Sequence, residues 1–316
     1  MNIPVKLMTA TIAAAAICCL PESSQSATTL RTDAIRTRLA DPSAGIVVVA
    51  HRGCHSPAPH HGLSSAPENS LSALEHCIAM GVDVMEADVL RTADGHLVII
   101  HDETVDRTTN GSGRVAQMTL AQLRELRLRE DLGGPTAKLT DERIVTLPEL
   151  LAKARGSILL NLDIKAAIHA EVIDVVVRAG AQKEVIVKAE AGIASPALAA
   201  VAPYDRVPFM PIAINANGTA DLAAIARQQL DGARPIAIEL PRMSEAQLLP
   251  VVDVARAAKI RLMMNTLGEG FIPGRGDIGA LRSPADVWGQ LAKSGITIFQ
   301  TDEPEALVRF RATTHE

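Results

Sequence analysis

Eight short apolar runs, spaced along the chain and separated by longer amphipathic stretches, constrain this sequence more than any other feature. They cover residues 45–50, 82–89, 157–164, 184–188, 207–212, 235–240, 259–264 and 295–300. Near-continuous apolar runs of this length suit strands of a parallel sheet buried on both faces. Helical candidates fill the intervals at residues 70–80, 147–154, 167–178, 220–229, 244–258 and 284–293. Eight such strand and helix units close naturally into a single (β/α)8 TIM barrel, with an open doubly wound sheet as the alternative.

One element breaks the rhythm. Asp94-Gly95 followed by residues 96–101 predicts a tight turn and a short strand, a small hairpin inserted after the second barrel strand that delivers His101. Residues 107–143 read as a long excursion with one helix near 120–128, and residues 268–282 as a glycine-rich polar loop.

Composition limits the partners. With 47% hydrophobic residues but one Trp, one Tyr and four Phe, the core must be built from Ala, Val, Ile and Leu. A formal charge of −5 and the lack of any basic stripe exclude a nucleic-acid binder. Residues 1–27 have the layout of a secretory signal peptide: Lys6, an apolar run over 7–20, Pro21, then small residues to Ala27. The run is short of the roughly 20 residues that a spanning helix needs. Cleavage near Ser26 or Ala27 would leave a barrel domain over 28–316, periplasmic or secreted, with no stable membrane insertion. Only Cys54 and Cys77 would then remain, expected as two small buried or half-buried thiols, with pairing open.

In such a barrel, side chains at the carboxyl ends of the strands meet at one mouth. His51 and Arg52 end the first strand, Glu86 and Asp88 the second, Asp163 and Lys165 the third. Strand alternation puts Glu86 and Asp88 on one face, and likewise Asp163 and Lys165. Carboxylates on one face repel unless a cation sits between them. An all-oxygen set without cysteine suits Ca²⁺ or Mg²⁺, so Glu86, Asp88 and Asp163 are the expected metal ligands, with Glu68 a fourth candidate.

Cleaving a phosphate ester needs one proton taken and one returned, and His51 and His101 supply the imidazoles. Arg52 offers a planar fork of donors to phosphate oxygens and Lys165 a compact positive charge. His55, His60 and His61 are expected to rim the mouth. Lys188, Glu239 and Asn265 end later strands, within reach of a substrate head group, and Trp288 is open to either packing or recognition.

The order of these clusters resembles the glycerophosphodiester phosphodiesterase family. The chain shows His51-Arg52-Gly53, Pro67-Glu68-Asn69-Ser70, Glu86-Ala87-Asp88, Asp94-Gly95 with His101-Asp102, Asp163-Ile164-Lys165 and Thr301-Asp302-Glu303-Pro304. The resemblance implies a metal-dependent barrel enzyme that hydrolyses small glycerophosphodiesters to an alcohol and sn-glycerol 3-phosphate. It assigns His51 and His101 as acid and base, Glu86, Asp88 and Asp163 as metal holders, and Arg52 and Lys165 as phosphate binders. It also implies that the glycerol 2-hydroxyl attacks phosphorus through a cyclic phosphate. Asp163 stands where the family usually has glutamate, which keeps a sphingomyelinase D type of lipid phosphodiesterase as a second reading. A non-catalytic glycerophosphodiester-binding protein is the third.

Overall fold

Each of the eight apolar runs forms a strand, and each lies at a buried register. The computed structural model describes Met1 and residues 23–314, with side chains from residue 31 onward. Its strands are β1 (Val47–Ala50), β2 (Val84–Arg91), β3 (Leu97–Ile99), β4 (Val145–Thr146), β5 (Leu159–Ile164), β6 (Val185–Ala191), β7 (Phe209–Ala213), β8 (Ala237–Leu240), β9 (Arg261–Asn265) and β10 (Ile296–Thr301). β1, β2 and β5 to β10 are parallel, and β1 pairs with both β10 and β2, which closes the sheet into a barrel. The expected insertion is present: β3 runs antiparallel to β2 and β4 antiparallel to β3.

The helices are α1 (Ser23–Ala40), α2 (Leu71–Met80), α3 (Leu120–Glu125), α4 (Leu147–Ala154), α5 (His169–Arg178), α6 (Leu222–Leu230), α7 (Glu245–Ala258), α8 (Asp277–Ala280), α9 (Gln290–Ser294) and α10 (Pro304–Thr313). Their starts follow local chemistry. Ser70 caps α2 by accepting the Ala73 N–H, and Thr146 with Glu149 forms a reciprocal capping box on α4.

Strand alternation sorts the barrel interior into layers. Val47 and Val49 point inward to join Val84, Leu159, Ile186, Met210, Ala237, Met263 and Ile298 in an apolar floor, closed from below by Ile35 and Leu39 of α1. Val48 and Ala50 face outward into the core shared with the helices. Two residues further along the strands the inward side chains turn polar: Glu86, Asn161, Lys188, Glu239, Asn265 and Gln300. Two further still, Asp88 stands opposite Asp163 across the β2–β5 pair.

The leader expected over 1–27 lies largely outside the described residues, and residues 23–27 begin α1. Cys54 and Cys77 are not free thiols. They form a disulfide with Cα atoms 5.2 Å apart, which ties the loop after β1 to α2. Among the described residues, no helix is long and apolar enough to cross a membrane.

Candidate active site

The chain leaves β1 by a sharp turn. Arg52 adopts a left-handed backbone with φ +53°, and Gly53 follows with φ +84°. A Cβ on Gly53 would lie 2.8 Å from the Ala73 Cβ and 2.9 Å from the Met85 Cε, so only glycine lets the turn pack onto α2 and β2. The strained turn directs the Arg52 N–H to Glu86 Oε2 at 2.8 Å and lets the Arg52 carbonyl accept the Asn69 N–H at 2.8 Å. Asn69 in turn grips Asp88 twice, its amide donating to Oδ2 at 2.8 Å while its oxygen accepts the Asp88 N–H at 3.1 Å.

Glu86, Asp88 and Asp163 converge as expected, each with a carboxylate oxygen within 4.8 Å of the others. Burial, and then the neighbouring Asp88 charge, push the Glu86 carboxyl well above the usual range. Burial also opposes ionisation of Asp163, but Lys188 and Lys165 outweigh it and hold that carboxyl down at about 2. Lys165 Nζ lies 3.0 Å from Asp88 Oδ1 and 2.8 Å from Asp163 Oδ2. Lys188 is 3% exposed and sits beneath the acids, 3.2 Å from Glu239 and 3.5 Å from Asp163. Asn265 donates to Glu239 at 2.8 Å in the same layer. Lys188 and Asn265 are therefore side chains of the barrel interior; Lys188 pairs with Asp163 directly, and Asn265 holds the Glu239 that Lys188 also meets.

Both imidazoles are oriented by carboxylates. His51 Nδ1 donates to Asp302 Oδ1 at 2.7 Å, and its Nε2 accepts from Arg52 Nε at 3.1 Å. Burial lowers the His51 pKa, and Asp302 offsets this only in part. His101 Nδ1 donates to Asp102 Oδ1 at 2.7 Å. The two rings are joined by one ionic chain: Asp102 to Arg107 at 2.7 Å, Arg107 to Glu68 at 2.7 Å, Glu68 to Arg52 at 3.1 Å. Glu68 thus stands between two guanidinium groups and is not brought into the acid cluster, because its carboxylate is already satisfied by Arg52 and Arg107.

One histidine departs from expectation. His55 does not rim the mouth. It is 1% exposed and lies between Asp131 and Asp302. Burial disfavours its charged ring, yet hydrogen bonds to those two acids raise its pKa to about 9. His60 and His61 are exposed, paired with Arg309 and Glu305. Trp288 is fully buried against Phe310, a packing residue. Arg107 carries no expected role, although it grips both Asp102 and Glu68.

Residues 51–202 match the model of the glycerophosphoryl diester phosphodiesterase family. Through that segment, just under half of its length, the chain is similar to the glycerophosphoryl diester phosphodiesterase family. Residues 209–311 match a domain of unknown function, which here is the remaining half of the same barrel, β7 to α10. A glycerophosphodiester phosphodiesterase of Caldanaerobacter subterraneus is 41% identical over 123 residues, 39% of this chain and 46% of that protein. Human glycerophosphodiester phosphodiesterase 1 is 36% identical over 135 residues, 40% of this chain and 36% of its own length. These matches span less than half the length of either relative. Among solved structures, a glycerophosphoryl diester phosphodiesterase from Parabacteroides distasonis superposes with a TM-score of 0.69 at 21% identity, covering 90% of this chain and 92% of that one. An Oleispira antarctica phosphodiesterase in complex with the product sn-glycerol-3-phosphate gives 0.59 at 20% identity, covering 86% and 98%. Those likenesses establish the barrel fold.

Proposed function

We propose that this protein is a metal-dependent phosphodiesterase that hydrolyses small glycerophosphodiesters to an alcohol and sn-glycerol 3-phosphate. The observation that carries the reading is a convergence at one mouth: two carboxylate-oriented imidazoles, joined through Arg107, Glu68 and Arg52, beside three clustered acids. The acid cluster fits a hard divalent ion, Ca²⁺ or Mg²⁺. Its donors are all oxygen, and without a cation Glu86 is forced toward its neutral form. Glu86, Asp88 and Asp163 would hold that ion, which when bound supplies positive charge to offset the charge building on the phosphoryl oxygens.

The side chains divide the remaining work. Arg52, anchored by its Nε on His51 and its Nη1 on Glu68, binds phosphate oxygens together with Lys165. One imidazole takes the proton of the attacking hydroxyl, and the other returns a proton to the departing alcohol oxygen. The glycerol 2-hydroxyl suits the attack, because it is already tethered to phosphorus; water, deprotonated in its turn by an imidazole, then opens the resulting cyclic phosphate to glycerol 3-phosphate. Asp163 supports one further reading, a sphingomyelinase D type of activity on intact lipid. We also infer export to the periplasm or beyond: residues 1–27 support a leader, and the Cys54–Cys77 disulfide supports an oxidising compartment.

The test is direct. Purified protein is incubated with glycerophosphocholine, glycerophosphoethanolamine, glycerophosphoinositol and sphingomyelin, with Mg²⁺, Ca²⁺ or chelator. Release of glycerol phosphate that chelator abolishes is expected, with His51→Ala and His101→Ala each slower by at least about two orders of magnitude. Turnover of sphingomyelin alone would favour the lipid reading, and no turnover of any substrate would sink both.

A further inference from the structure

Asp302 serves two imidazoles at once. Its Oδ1 accepts from His51 Nδ1 at 2.7 Å and lies 3.3 Å from His55 Nε2, while His55 Nδ1 is 2.5 Å from Asp131 Oδ1. Ionised carboxylates only accept hydrogen bonds, so a ring that meets one through each nitrogen must carry both protons. His55 is therefore an imidazolium, and its charge is buried. The loop carrying it is pinned next door by the Cys54–Cys77 disulfide, and its carbonyl accepts the Ala66 N–H at 2.9 Å. A buried cation is retained at a cost in solvation, which its two carboxylate partners offset. Acid–base chemistry with His51 and His101 has no use for a third ring that touches substrate.

We propose that His55 is a positioning residue for His51, acting through the Asp302 oxygen that the two rings share. The proposal rests on the hydrolase reading for the role of His51, but the coupling itself stands on geometry. Asp131, held in the excursion after the inserted hairpin, fixes His55. His55 fixes Asp302 at the end of β10 and takes up part of its negative charge, and Asp302 aligns His51 at the end of β1. The charged groups facing His51 are Asp302, Arg52 and Asp88, and those facing His55 are Asp131, Asp302 and Glu303. Without His55, the whole charge of Asp302 acts on His51, and that ring holds its proton more tightly.

The experiment uses the full chain as wild type, His55→Gln and Asp131→Asn. Imidazole NMR, with the His51 signal assigned by its loss in His51→Ala, follows the His51 titration. Rates against pH with glycerophosphoethanolamine give kcat and KM separately. In His55→Gln the His51 titration is expected to move upward by roughly one pH unit, about tenfold in proton affinity. The limb of the kcat profile that His51 governs should move with it, while KM changes little. Asp131→Asn should lower the titration of His55 and move His51 upward by a smaller amount, which keeps the test open if His55→Gln does not fold. An unmoved His51 titration in a folded variant overturns the proposal, and so does a fall in activity with the pH profile unshifted. A shifted titration in a protein that hydrolyses none of the substrates supports the coupling and overturns the functional reading instead.

Discussion

His51 and Asp302 are 251 residues apart in sequence and 2.7 Å apart in space. Their hydrogen bond joins the ends of the first and last barrel strands, and it forces the neutral His51 proton onto Nδ1, leaving Nε2 as an acceptor, which here meets Arg52 Nε. Asp302 is itself held, its backbone N–H donating to Asp277 Oδ2 at 3.0 Å. An amide in its place can present an N–H to Nδ1 and drive the proton onto Nε2, the wrong tautomer. Asp302→Asn should therefore lower kcat by about two to four orders of magnitude with KM changed only a few-fold. Steady-state kinetics with glycerophosphoethanolamine would check this, and a wild-type kcat would take Asp302 out of the mechanism.

The acid cluster makes a prediction that separates ion binding from catalysis. Glu86 is buried beside Asp88 and forced toward its neutral form in the ion-free protein, so a neutral amide of the same shape costs little there. Glu86→Gln should melt no lower than wild type in chelator, yet lose the rise in Tm that millimolar Ca²⁺ or Mg²⁺ is expected to produce in wild type by binding the folded state alone. Differential scanning calorimetry with and without the ion reads both effects. An unchanged ion response in Glu86→Gln would mean that the cation binds elsewhere.

Much of this architecture can be read along the chain because it is set by local periodicity. The eight apolar runs and the turn at Asp94-Gly95 locate every barrel strand and the hairpin, and the polar residues ending those runs locate His51, Glu86, Asp88 and Asp163. What escaped depends on pairs far apart in sequence. His55 is buried by Asp131 and Asp302, 76 and 247 residues away, and Glu68 is drawn from the acids by Arg107, 39 residues on. The Cys54–Cys77 pairing needed the packing of α2 onto the first loop, and α1 begins within residues 23–27 of the expected leader while its floor residues Ile35 and Leu39 lie beyond it. Neither periodicity nor spacing carries that information.

Asp277 ties stability to pH. It is buried, accepts the Thr266 hydroxyl at 2.7 Å and the Asp302 N–H at 3.0 Å, and burial raises its carboxyl to about 7 despite those bonds. The unfolded chain loses this proton near the ordinary value of about 3.9. Between those two values the folded state binds the extra proton, so its contribution to stability falls as pH rises from about 4 to about 7 and stays at its lowest above that. Asp277→Asn should lack this contribution through the same window. Urea unfolding of both proteins at pH 5, 6, 7 and 8 should show wild type losing ground to the variant up to about pH 7, and parallel curves would refute the assigned titration.

The disulfide closes the segment between Cys54 and Cys77, 23 residues apart, and holds the loop that carries His51, Arg52 and His55. Closing a loop of that length restricts the unfolded chain by about 3 kcal/mol. Cys54→Ser with Cys77→Ser, or reduction by a thiol, should lower the Tm by several degrees. Activity should fall further than stability accounts for, because the freed loop positions the catalytic turn. A thermal melt and a rate measured well below the Tm distinguish the two effects, and unchanged values of both would show the bridge to be dispensable.

Arg261 holds the opposite end of the barrel. Its side chain is 1% exposed, and its guanidinium donates to the carbonyls of Arg38, Leu39, Asp41 and Gly45 at the end of α1 and just beyond. Burial draws its pKa down to about 10, so it stays charged at neutral pH. A helix leaves its last carbonyls unpaired and carries partial negative charge there, which is what this fork meets. Arg261→Met would match the stem but abandon those acceptors, at a cost of about 3 kcal/mol or more. Lysine keeps the charge without the fork and should recover only part of the loss. Because Ile35 and Leu39 of α1 close the apolar floor, the Met variant should also expose that floor and bind a hydrophobic dye before it melts. The acids and imidazoles sit at the other mouth, so its kcat well below the Tm should stay near wild type, and a large loss of rate without a loss of Tm would contradict the floor role assigned to Arg261.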